Sequence, residues 1–138
     1  MSVEQNRAIL EEGVAAFNRG DLDGWWAIHD ADVIAHGFAP GPIGFEGVKG
    51  FYTGLATAFP SGVVSIDDTV AEGDSIAWRF TTRGMHEAEF LGVAATGKSV
   101  VITGHALYRF RDGLIIERWT RADLLGLLVQ LGAVEAPV

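Results

Sequence analysis

Hydrophobic positions recur at three and four residues in the first part of the chain and at two residues in the second. Val3, Leu10, Val14 and Phe17 share one helical face, and Ser2 with Gln5 three positions on forms a capping box ahead of them. Asn18-Arg19-Gly20 closes this helix, with glycine just past the last apolar residue. Asp21 then caps a short helix in which Leu22, Trp25, Trp26 and His29 fall on one face. The pattern next predicts a short strand over Val33 to His36, a rigid loop at Ala39-Pro40-Gly41-Pro42, and a third helix from Gly47 to Phe59 that turns Val48, Phe51, Tyr52, Leu55 and Phe59 inward.

Beyond Pro60 the period changes to that of strands. Val63 to Val70 and Ser75 to Thr82 flank the turn signal Glu72-Gly73-Asp74, which predicts an antiparallel hairpin. Ser99 to Arg111 and Leu114 to Ala122 meet at Asp112-Gly113, a strong type I′ signal for a second hairpin. Between them, Gly84 to Gly97 reads as an irregular strand and a loop centred on Thr96-Gly97-Lys98, and Leu124 to Leu131 as a short closing helix. Helices followed by hairpins predict an α+β fold, a curved antiparallel sheet with helices on its concave face, in one domain over residues 1–138.

Composition narrows the chemistry. The absence of cysteine removes disulfides, thiolate metal sites and cysteine nucleophiles. A net charge of -8 weighs against nucleic acid or an anionic membrane as partner, because phosphate binding needs clustered Lys and Arg. A neutral or organic small molecule fits better. The N-terminal residues carry acid rather than a basic leader, and no apolar run reaches the ~18 residues of a membrane span, so a cytoplasmic protein is expected. No serine stands in an elbow motif and no glycines gather into a phosphate loop.

Phe17-Asn18-Arg19-Gly20-Asp21, Glu46-Gly47, Ala58-Phe59-Pro60, Glu72-Gly73-Asp74, Gly84-Met85-His86, Ala95-Thr96-Gly97-Lys98, and Asp123 with Gln130-Leu131-Gly132 occur in that order along the chain. Together they resemble the SnoaL-like polyketide cyclases, within the wider group that has the nuclear transport factor 2 fold. The resemblance implies a cone in which the sheet wraps around the N-terminal helices. It also implies ring closure by intramolecular aldol condensation of a polyketide-type ester, with an aspartate as acid/base and neither metal nor other cofactor. The aspartate of the Trp-x-x-x-Asp pattern is Asp123, after Trp119. His105 and His36 match pocket histidines of the family, and His86 stands in Gly-Met-His where Gly-Thr-His is commoner.

The residues themselves leave alternatives open. Proton abstraction beside a carbonyl needs a base whose pKa burial has raised, yet Asp123 also precedes a leucine-rich helix and can simply cap it, which would lower its pKa. An unbroken two-residue turn at Asp112-Gly113 pairs Phe110 with Ile115, Ala106 with Trp119 and His105 with Thr120, which sets His105 and Asp123 on opposite faces. A one-residue bulge between positions 105 and 123 is therefore expected. Phe17, Trp26, Phe51, Tyr52, Leu55, Trp78, Phe90 and Trp119 are expected around the cavity, whether as lining or as ordinary core. Arg121 can pair with Asp123, Glu117 and Arg118 read as surface or interface charge, and His29 reads as structural. The apolar strands suggest a covered outer face and hence a homodimer or homotetramer.

Overall fold

The computed structural model describes residues 1–138. Four helices and five strands follow one another as α1 (Val3–Asn18), α2 (Leu22–Trp26), β1 (His29–His36), α3 (Phe45–Ala58), β2 (Val63–Glu72), β3 (Ser75–Met85), β4 (Ser99–Arg111), β5 (Leu114–Ala122) and α4 (Leu124–Gln130). The expected helices and both hairpins form with boundaries moved by a few residues, whereas the irregular strand expected within Gly84 to Gly97 does not: beyond Met85 that segment is loop with one isolated bridge, Phe90 to Val93. Ser2 and Gln5 make the capping box at α1, and the Asp21 side chain accepts from the Gly24 N–H at 2.9 Å to start α2. Asp112 and Gly113 both take positive φ, 52° and 78°, as a type I′ turn requires.

The sheet order is β1-β5-β4-β3-β2. It is antiparallel except where β1 joins β5 in parallel, a pairing that the expectation of a wholly antiparallel sheet missed. Hairpin turns cannot link parallel neighbours, and here α3 and the β2–β4 meander separate the two strands. The strand begins earlier than the local pattern suggests, at His29, because β1 gains partners along β5 that its own sequence does not reveal.

The expected bulge is present. Arg109 pairs with Glu117 while Phe110 pairs with Ile115, so Ile116 is the extra residue. Downstream of it Ala106 faces Thr120 and His105 faces Arg121, one position on from the unbulged register. In β5, Arg118 and Thr120 consequently turn into the cone, and Trp119 turns out.

Two apolar clusters fill the interior. One contains Leu10, Val14, Trp25, Trp26, Val33, Trp78, Tyr108 and Phe110, and the other Phe59, Phe90, Val100, Ile102, Leu127 and Leu131. Side-chain amides tie helices to strands at both ends. Asn18 donates to Val64 O and accepts from Val64 N–H, each at 2.8 Å, and Gln130 does the same with Val101 at 2.8 Å for both bonds. Each amide satisfies a strand N–H and C=O that would otherwise lack partners, which gives Asn18 and Gln130 of the sequence motifs structural roles. No helix is long and apolar enough to cross a membrane.

Candidate active site

A cavity of about 140 Å³ opens where the two apolar clusters do not close on each other. Of its 19 lining residues 15 are hydrophobic, so anything it admits must be mostly apolar. α1 contributes Val14 and Phe17, α2 Trp25, α3 Phe51, Tyr52 and Leu55, and the sheet Val64, Trp78, Phe80, Ile102 and Tyr108. Phe38, Phe90 and Leu124 come from segments beyond the strands. Phe17, Phe51, Leu55, Tyr52, Trp78 and Phe90 thus lie where the sequence places them. Trp26 is buried outside the lining, packed on His29 with ring centroids 5.0 Å apart.

Two glycines shape the wall. Gly37 follows β1 at φ 104°, and any Cβ there would overlap the carbonyl oxygen of Thr120. Gly104 leaves room for the edge of the Phe80 ring, which enters the cavity lining in place of a β4 side chain.

The polar groups at the cavity wall converge on an arginine. Arg118 is fully buried. It donates to His29 Nε2 at 2.9 Å, to the Tyr52 hydroxyl at 2.5 Å and to Thr120 Oγ1 at 3.3 Å, while its Nε has no partner. The rings of Tyr108, Tyr52, Phe38 and Trp25 surround the guanidinium at 4.7 to 5.7 Å. Arginine suits such a place, since its delocalised charge is weakly hydrated and stacks on aromatic faces. Burial works against that charge, but the oxygens of Tyr108 and Tyr52 outweigh it and hold Arg118 above the ordinary arginine range.

The neighbours remain neutral. His29 Nδ1 lies 3.1 Å from Trp25 O, an acceptor, so the ring proton sits on Nδ1 and Nε2 is free to accept from Arg118. Burial first, and the Arg118 charge second, lower the His29 pKa from 6.5 to about 3. Tyr108 has the hydroxyls of Tyr52 and Thr120 as hydrogen-bonding neighbours, and burial pushes its phenol far above the usual range despite Arg118. The cavity therefore presents hydroxyl donors backed by a fixed cation.

Several sequence expectations are corrected. Arg118, read as surface or interface charge, is the largest fully buried side chain, and Trp119, expected in the cavity, lies on the outer face. The Ile116 bulge exchanges the two. His36, one residue after the inward Ala35, points outward too. It stacks on Trp119 with centroids 5.0 Å apart and bonds Glu117 Oε2 at 2.8 Å, while Arg109 covers the other ring at 5.3 Å. His105 is exposed on the same outer face, opposite Arg121. His86 is buried away from the cavity against Phe59, where its Nδ1 accepts from Thr96 N–H at 3.2 Å and Nε2 lacks a partner.

Asp123 stands at the cavity rim between the lining residues Ala122 and Leu124, but its carboxylate accepts from Gly126 N–H at 2.8 Å and caps α4. Of the two roles the sequence left open, the geometry realises the cap. The residue is exposed and lacks the desolvation that a poised acid/base needs. Arg121 also lines the mouth, donating to Thr120 O at 3.0 Å rather than to Asp123.

The family model for SnoaL-like polyketide cyclase matches residues 8–131. Among solved structures, AclR from Streptomyces galilaeus, a proposed hydroxylase, is 31% identical with a TM-score of 0.90, over 96% of this chain and 99% of that one. IdmH from Streptomyces antibioticus, a proposed polyketide cyclase, is 34% identical with a TM-score of 0.82, over 93% and 99%. TsrD from Streptomyces laurentii is 28% identical with a TM-score of 0.85, over 97% and 99%. Comparison with curated proteins gives no match.

Proposed function

Since the chain belongs to the SnoaL-like polyketide cyclase family, we propose that it is an enzyme acting on a cyclic or polyketide-type molecule held in the apolar cavity. The step it promotes builds negative charge on a substrate carbonyl oxygen, as intramolecular aldol condensation does. One observation carries this reading: the hydroxyls of Tyr52 and Thr120 line a largely apolar cavity and are themselves hydrogen-bonded by buried Arg118. Prearranged donors in a water-poor site stabilise a developing oxyanion without reorganisation, and such a donor contributes about 10²–10³ in turnover. The fold does not choose the reaction, as one fold hosts many chemistries and the structural relatives carry the names of a hydroxylase and a cyclase.

Asp123 contributes in this reading by starting α4 and so placing Leu124 on the cavity wall. A second reading, a cone that binds small molecules without transforming them, is favoured by the lack of any carboxylate among the lining residues. Incubation with polyketide-type esters and cyclic ketones separates the two. Turnover that falls about a hundredfold in Tyr52→Phe supports the enzyme, whereas saturable binding without product supports the binder.

A further inference from the structure

We infer that the cavity takes its ligand as an oxyanion, the ionised form of an acidic phenol or an enol, because the cation beneath its wall has no anion of its own. The inference rests on the reading of this cavity as the substrate site. In a chain of net charge -8, Arg118 is fully buried and still meets no carboxylate. Its three hydrogen-bond partners are an imidazole nitrogen, a phenol and an aliphatic hydroxyl. The ion pairs of the molecule all lie elsewhere.

No facing group supplies the missing charge. From β1, His29 is held neutral by its bond to Trp25 O. From β4, Tyr108 is driven further from ionisation by burial. From α3, Tyr52 accepts a hydrogen bond from the guanidinium, and from β5 Arg121 at the mouth adds a second cation rather than an anion. Aromatic rings soften an enclosed cation but do not neutralise it, and a buried charge without a counter-charge is costly. The partnerless Arg118 Nε shows the same incompleteness.

The hydroxyls transmit this charge to the cavity. Tyr52 and Thr120 each accept from Arg118, which polarises their own O–H groups as donors. A ligand oxygen reaching them meets donors on a positive background, which favours its anion over its conjugate acid. Apart from Thr82 and Arg121, the rest of the lining is apolar and aromatic, so the ligand class is a flat, largely apolar ring system with one acidic enol or phenol oxygen.

The test uses the intact protein with 4-nitrophenol, whose absorption reports its ionisation, and 4-nitroanisole, an ether that cannot ionise. Bound 4-nitrophenol is expected to titrate about one pH unit or more below the free compound, equivalent to at least tenfold tighter binding of the anion. Arg118→Met removes the shift and keeps the affinity for 4-nitroanisole. Tyr52→Phe, which retains the aromatic packing, at least halves the shift and stands in should Arg118→Met not fold. Arg121→Gln leaves most of it. A bound phenol that titrates at or above its free value overturns the inference while leaving the cavity as a binding site. So does a shift that survives Arg118→Met, or one that follows Arg121. If neither probe binds, the reading of the cavity falls, and the inference with it.

Discussion

Tyr52, in the middle of α3, meets Arg118 of β5 through a hydrogen bond of 2.5 Å, so helix and sheet are joined at the cavity wall by a phenol and an enclosed cation. Tyr52→Phe deletes only the oxygen. Bonds to charged groups contribute about 1.5–3 kcal/mol, and a urea titration should show a loss of this size with the slope unchanged. The Tyr52 ring keeps its packing against Phe17 and Trp26, which limits the damage to the polar centre.

His29 predicts an acid limit to stability. Its folded pKa of about 3 lies below the free value of 6.5, so the unfolded chain binds a proton that the folded chain refuses. The stabilisation is whole above 6.5 and is lost as pH falls towards 3. The slope in that window is about 1.4 kcal/mol per pH unit from this group. In His29→Asn the curve should flatten between those limits, at the cost of lower stability at neutral pH. Denaturation midpoints measured at unit steps of pH check both effects.

Asp123 should behave as a cap. Asparagine also caps helices well, so Asp123→Asn is expected to keep both thermal stability and turnover near those of the parent. Asp123→Ala should cost about 1 kcal/mol through loss of the bond to Gly126 N–H. A hundredfold loss of turnover in Asp123→Asn, with stability unchanged, would instead restore the carboxylate to the chemistry.

Filling the cavity should separate binding from folding. Leu55 is half-buried on α3 and lines the open volume, so Leu55→Trp has space to enter. Ligand affinity measured by calorimetry should fall at least tenfold. The melting temperature should stay within a few degrees, because the new ring occupies emptiness rather than displacing packed neighbours.

The architecture was legible because local signals agreed with one another. The capping box at Ser2, the Asp21 cap and the Asp112-Gly113 turn each act over a few residues and form as the sequence indicates. The cavity's helical contributors, Phe17, Phe51, Tyr52 and Leu55, were legible for the same reason, since helical period leaves little doubt about facing. Its polar centre was not. Whether Arg118 or Trp119 points inward depends on a bulge, and the need for one could be argued from the strands while its position could not. The parallel pairing of β1 with β5 was equally hidden, being a contact between segments some eighty residues apart. Charge also misled: arginine is rarely buried without an acid, and no short-range pattern announces an aromatic enclosure assembled from α2, α3, β4 and the loop after β1.

The extra residue at Ile116 makes the character of the cavity a matter of counting. Were the two strands to close without a bulge while keeping it, every side chain of β5 beyond that point would change places with its neighbour: Trp119 and Arg121 would face inward in place of Arg118 and Thr120. Substituting side chains one at a time alters this interior in small increments, whereas a slip into the unbulged register would replace its polar centre in one step; deleting the Ile116 codon would instead leave Arg118 opposite Tyr108 and facing inward. A chain that lacks the extra residue keeps the same positions facing inward, and aligning it without a gap here would set the wrong residues side by side.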